Sequence, residues 1–200
     1  MRSVLSVGLI LCLALVAVSC AKPPTQELDA AQAALDAAKT AEADIYAPDT
    51  YRSAKTTLDD ARAKVDQKDY EGAKASAVQA KELAGQASSQ ADTNKRQTRD
   101  EAQALVNRLS SGVADARTAL DGAPRGKGVD EDLDQLRADL GQAETSLTAG
   151  KNSLNAGKFK DALTQAQAAE SKLSNVQGAV QTAMQKIEEW KKQHRPWYEL

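Results

Sequence analysis

The chain has 200 residues, of which 38 are alanine, with 26 basic against 28 acidic side chains and a formal net charge of −2. This near-neutral, slightly acidic balance excludes the clustered basic footprint that nucleic-acid binding requires. Aromatics make up only 4% and prolines number five, so the composition is all-helical, with an alanine-built core that leaves little room for large pockets.

Residues 1–20 form the first element. Met1-Arg2 leads into an apolar run from Val4 to Val18, closed by Ala17-Val18-Ser19-Cys20. A short basic start, an apolar stretch too short to span a bilayer and small residues before a cleavage point make an export signal over 1–19. The small residues followed by cysteine resemble the lipobox of bacterial lipoproteins. That resemblance implies cleavage before Cys20, acyl chains on its sulfur and new amino group, and a membrane anchor. Ala21 after the cysteine fits sorting to the outer membrane, with the protein on its periplasmic face. Residues 20–25, with Pro23-Pro24, then read as a short tether. Cys12 falls inside the signal, so the processed chain holds one cysteine, which the anchor consumes; no disulfide framework or cysteine-based metal site remains.

Beyond the tether, apolar positions recur at steps of three and four. Leu28, Ala31, Leu35, Ala38 and Ile45 mark one stripe, and Tyr51, Ala54, Leu58, Ala61 and Val65 a second. Ala47-Pro48-Asp49 separates them, because proline suits a helix's first turn and restricts the residue before it. Lys68-Asp69 predicts a tight turn. From Asp69 to Leu120 no proline interrupts the pattern, so one helix of roughly 75–80 Å is expected, although Ser88 to Asp100 is polar on every face. Gly122 to Gly128 is a loop. Leu133, Leu136, Leu140, Ala143, Leu147, Gly150 and Leu154 then form a stripe up to a second tight turn at Gly157-Lys158. The last stripe holds Phe159, Ala162, Ala166, Ala169, Leu173, Val176, Val180, Ala183, Ile187 and Trp190. The expected fold is an all-α, elongated antiparallel helical bundle of coiled-coil-like hairpins. Its stripes close either within one chain or between copies in a homo-oligomer.

The sequence repeats itself at an offset of 89. Ala54, Leu58, Val65, Tyr70, Ala73, Ala77 and Ala80 fall on Ala143, Leu147, Leu154, Phe159, Ala162, Ala166 and Ala169. Each copy reads as an αα-hairpin with a tight turn and an aromatic plugging the pair, the two copies joined by the long helix. Units at 26–91 and 92–193, with a tail at 194–200, follow. Gly157-Lys158-Phe159-Lys160-Asp161-Ala162, with Ala166 and Ala169, looks like the second helix of a tetratricopeptide repeat. A closer likeness, from Leu28 to Ala91 through Tyr46-Ala47-Pro48 and again over 140–173, is to small bacterial envelope lipoproteins bearing a helical domain of unknown function. That likeness implies a location and a fold and carries no established activity.

Chemistry-bearing constellations are few. His194 is the lone histidine, without a second histidine or a cysteine to complete a metal or nucleophile set, so it reads as a solvated residue at a helix end. Arg125-Gly126-Lys127-Gly128 lacks the glycine spacing and the Ser/Thr of a phosphate loop. It reads as a basic surface turn able to touch an anionic surface through Arg125 and Lys127. Asp130-Glu131-Asp132 and Asp134 suit a helix start, where the dipole favours acids, better than a cation site. Both tryptophans lie at the end, in Trp190 to Leu200. Trp190, Trp197 and Tyr198 serve either as a cap on the bundle or as a contact to a partner. No catalytic residue, metal or cofactor is expected. The leading reading is a lipid-anchored, non-catalytic scaffold or adaptor binding another envelope protein. A spacer or non-covalent peptidoglycan tether is the alternative, and an accessory envelope hydrolase comes last.

Overall fold

The structure is a computed structural model that describes residues 22–123 and 130–193. Among these residues every regular element is an α-helix. They are α1 Thr25–Thr40, α2 Ala43–Tyr46, α3 Pro48–Asp66, α4 Tyr70–Asp121, α5 Asp130–Asn155 and α6 Phe159–Gln193. The fold is all-α, as the composition requires. The chain divides into two compact units, up to Asn94 and from Lys95 on, with α4 giving its first part to one and its later part to the other.

In the first unit α1, α2, α3 and the start of α4 enclose a core that is mostly alanine. Ala31, Ala38, Ala43, Ala61, Ala77, Ala84, Ala87 and Ala91 pack with Leu35, Leu58 and Tyr46. Small side chains on facing helices let the axes approach, so contact area comes from length rather than bulk. Polar contacts fix the register. Thr50 Oγ1 donates to Gln90 Oε1 at 2.6 Å, and Arg62 Nη2 donates to Gln32 Oε1 at 2.6 Å. The second unit, formed by the later part of α4 with α5 and α6, is richer in leucine. Leu105, Leu109, Leu120, Leu133, Leu140, Leu147, Leu173 and Val176 form its core. Arg108 pairs with Glu170, and Arg117 with Glu144, across its helices. In both units the apolar stripes close within the chain.

The repeat is visible in the backbone. Lys68 has φ 63° and Gly157, 89 residues later, has φ 74°. The amides of Lys68 and Asp69 donate to the carbonyls of Val65 and Lys64, while those of Gly157 and Lys158 donate to Leu154 and Ser153. Both helix ends are thus the same left-handed stop, which satisfies two carbonyls left over at the helix terminus. Only the first copy adds a side-chain cap, Asp69 Oδ1 accepting from the Gly72 amide at 3.0 Å. Glycine takes the left-handed conformation freely, whereas a side chain there crowds its own carbonyl. Lys68→Gly is therefore expected to stabilise the protein by about 0.5–1 kcal/mol and Gly157→Lys to destabilise it by about 1 kcal/mol. No atom lies within 4 Å of a Cβ added at Gly157, so its effect is conformational. Paired urea unfolding curves check the opposite signs.

Three expectations need correction. Ile45 does not continue the first stripe: it is 43% exposed, and Ala43 and Tyr46 are buried instead. Helix α1 stops at Thr40, Glu42 turns left-handed with φ 59°, and α2 restarts out of phase before Ala47 and Pro48 begin α3. Ser88 to Asp100 is not polar on every face either, since Ala91 is fully buried and Asn94 Nδ2 donates to the Tyr46 carbonyl at 2.7 Å. Finally, Tyr70 and Phe159 do not plug the hairpins. Each opens its helix at the first position and is only half-buried. A helical side chain leans over the turn before it, and at a first position that turn is missing. Truncating either aromatic to alanine should cost about 1 kcal/mol, half of what full burial would give. Thermal melts of the two variants measure it.

Candidate interaction site

Ser76 is the only buried polar side chain among the described residues. It sits one position from the alanine stripe of α4 and faces α3 across the hairpin. Its hydroxyl donates to Asp60 Oδ2 at 2.8 Å and accepts from Lys64 Nζ at 2.8 Å. Lys64 also meets Asp60 directly at 2.7 Å, one helical turn away on α3. The hydrogen bond from Lys64, and then that from Ser76, hold the Asp60 carboxyl below its ordinary value. At the equivalent place in the second copy, Ser153 Oγ donates to Gln165 Oε1 at 2.8 Å. The same hairpin position is charged in one copy and neutral in the other. Each cluster is closed on itself, so its chemistry is that of a clasp.

A second clasp ties α1 to α4. Glu27 Oε1 lies 3.0 Å from Lys74 Nζ. The hydrogen bond between them lowers the Glu27 carboxyl and raises the Lys74 ammonium from their ordinary values. The signs give a pH window. Carboxyls lowered in the folded state add stability above their unfolded values, lost as pH falls through the folded ones, so the loss begins below about pH 4. The Lys74 contribution is complete below the ordinary lysine value and is lost only above it. Asp60→Asn is thus expected to lower the neutral-pH midpoint slightly and to flatten the acid limb of the stability–pH profile by the same small amount, because the pair is largely solvent-exposed. Melts across the acid range measure it.

The grooves on the surface are shallow and open. One of about 320 Å³ in the second unit is lined by Arg117, Leu120, Asp121, Arg137, Leu140, Gly141 and Glu144. Its arginines are already engaged: Arg117 binds Glu144, and Arg137 donates to Asp134 and to the Leu120 carbonyl. Another, of about 420 Å³, runs between α1 and α4 of the first unit beside exposed Val78, lined by Gln26, Glu27, Ala30, Lys81 and Glu82. Among the described residues no group of histidine, cysteine or carboxylate side chains could hold a metal ion. Likewise, no helix among them is long and apolar enough to cross a membrane.

Of the residues singled out in the sequence, Cys20, Arg125, Lys127, His194, Trp197 and Tyr198 lie outside the described residues. Trp190 belongs to α6. Sequence reasoning missed the Ser76 clasp, although a serine beside the alanine stripe of α4, on the helix that pairs with the one carrying Asp60 and Lys64, marks it.

Residues 26–105 match the family described as "Domain of unknown function (DUF4398)". The match covers the first unit and runs into the later part of α4. No curated protein and no solved structure matches the chain.

Proposed function

We propose that this protein is a lipid-anchored, non-catalytic helical scaffold of the bacterial cell envelope, held to the membrane through Cys20 and presenting helix faces to another envelope protein. The observation that carries the reading is the export pattern ending at Ala17-Val18-Ser19-Cys20, followed almost at once by a folded helical unit. Pro24 is already buried and its carbonyl accepts from the Leu28 amide at 3.1 Å. An anchor joined so closely to an alanine-cored bundle suits holding and presenting. The tetratricopeptide-like pattern of Phe159, Ala162, Ala166 and Ala169 suits helix-pair recognition, and Ala21 suits delivery to the outer membrane. The partner is a protein, or a second copy of this chain.

Crosslinking in intact cells, read by mass spectrometry, tests the proposal. A defined protein crosslinked to exposed helix residues is the expected result. Sedimentation with purified sacculi, without protein crosslinks, would make the chain a wall tether instead. Cleavage of wall fragments, abolished by one substitution, would make it an enzyme.

A further inference from the structure

We infer that the 67–69 turn between α3 and α4 rests on the phospholipid headgroup layer, with Lys68 reaching the lipid phosphates. This rests on the lipid-anchored reading above and adds which end of the first unit meets the membrane and through which residue.

The geometry starts from the tether. Cys20 is two residues before Lys22, where the described chain begins, so it lies within about 7 Å of Lys22. The chain is pinned immediately afterwards: the Thr25 amide donates to the Pro23 carbonyl at 2.8 Å, and Pro24 is buried. The N-terminal end of α1 is therefore held close to any surface in which Cys20 is embedded. The Glu27–Lys74 ion pair, at 3.0 Å, fixes that end beside the first turn of α4. The 67–69 turn immediately precedes that helix, at the same end of the hairpin. The start of α3 lies at the other end, about 25 Å away along the helix at 1.5 Å per residue.

The second observation is the residue at the tip. Lys68 is exposed and takes the left-handed conformation, φ 63°, in which its repeat counterpart is Gly157. Glycine would fit without strain, and non-glycine residues held in this conformation cluster at functional sites. Lys22 is exposed at the same end. Lysines near a membrane surface are drawn to phosphate. Asp66, Asp69 and Glu71 flank the turn and are also exposed. The end is thus mixed in charge, suited to a headgroup layer carrying both phosphate and ammonium rather than to a purely anionic surface.

Single cysteines replacing exposed Gln67, which leaves Lys68 in place, and Asp49, the latter 91% exposed at the start of α3, carry a fluorophore on the processed full-length protein. Acylated Cys20 does not react with the label. The protein is reconstituted into vesicles of phosphatidylethanolamine with a minority of phosphatidylglycerol, containing a headgroup-nitroxide lipid. Several-fold stronger quenching at position 67 than at position 49 is expected, and Lys68→Gln should reduce it. Equal quenching, or stronger quenching at position 49, with the acyl mass present on Cys20, would overturn the orientation and leave the anchored reading standing. A processed protein without acyl mass would overturn both.

Discussion

Leu58→Ala is expected to cost about 4 kcal/mol of stability, in the upper part of the range for leucine truncation in a core. Leu58 is 1% exposed, at the centre of the first unit's core. Most of that core is alanine: Ala31, Ala38, Ala54, Ala61, Ala77, Ala80 and Ala84. Alanine has no rotamer to change, so none of these side chains can swing into the space that the leucine leaves. The void would stay open unless whole helices moved. Leu133, also 1% exposed, gives the comparison. Its core contains Leu105, Leu109, Leu136, Leu140, Leu173 and Val180, which can relax, so Leu133→Ala should cost about 2–3 kcal/mol. Urea unfolding of the unacylated chain measures both. A larger loss at Leu133 than at Leu58 would show that helix movement, not side-chain relaxation, decides how these cores respond.

The difference between the two cores also explains what could be read from sequence. Leucine spacing located α5 directly, and Leu133, Leu136, Leu140 and Leu147 are all buried, whereas α4 is legible from the lack of a proline between Asp69 and Leu120. In α1 and α3 the alanines carry little directional signal, because alanine is common on exposed and buried faces alike: Ala37 and Ala63 are exposed while Ala38 and Ala61 are fully buried. The phase slip at Ala41-Glu42 was invisible because the left-handed residue there is a glutamate, not a glycine. Gly157 announces its turn, Lys68-Asp69 reads directly as another, and the repeat pairs the two. Tyr70 and Phe159 were misplaced for a different reason. Their repeat spacing was right, but spacing does not reveal that a residue opens its helix and so lacks a turn to lean on. The polar clasp needed the hairpin register as well as the residues, since Asp60 and Lys64 form an ordinary pair until Ser76 arrives from α4. The anchor was read wholly from local sequence, from residues outside the described structure.

Cys20→Ala is expected to remove the protein from its membrane-anchored state altogether. The lipobox reading makes the thiol the acceptor of the first acyl chain, and cleavage before residue 20 follows that step. Alanine can take part in neither reaction. The effect should be all-or-none, because each buried methylene of an acyl chain contributes about 0.8 kcal/mol and several chains are lost together. Among the described residues no helix is long and apolar enough to cross a membrane. Two products are consistent with the reading: an unprocessed precursor that keeps residues 1–19, and a soluble chain cut elsewhere. The precursor would still carry the apolar run from Val4 to Val18, which is shorter than the roughly 20 residues a spanning helix needs. Its hold on the membrane should therefore be weaker than that of the acylated form. Fractionation, with intact mass on each fraction, separates these states. A variant that fractionates with membranes and has the wild-type mass apart from the substitution itself would mean that Cys20 carries no lipid. The lipid-anchored reading would then fall.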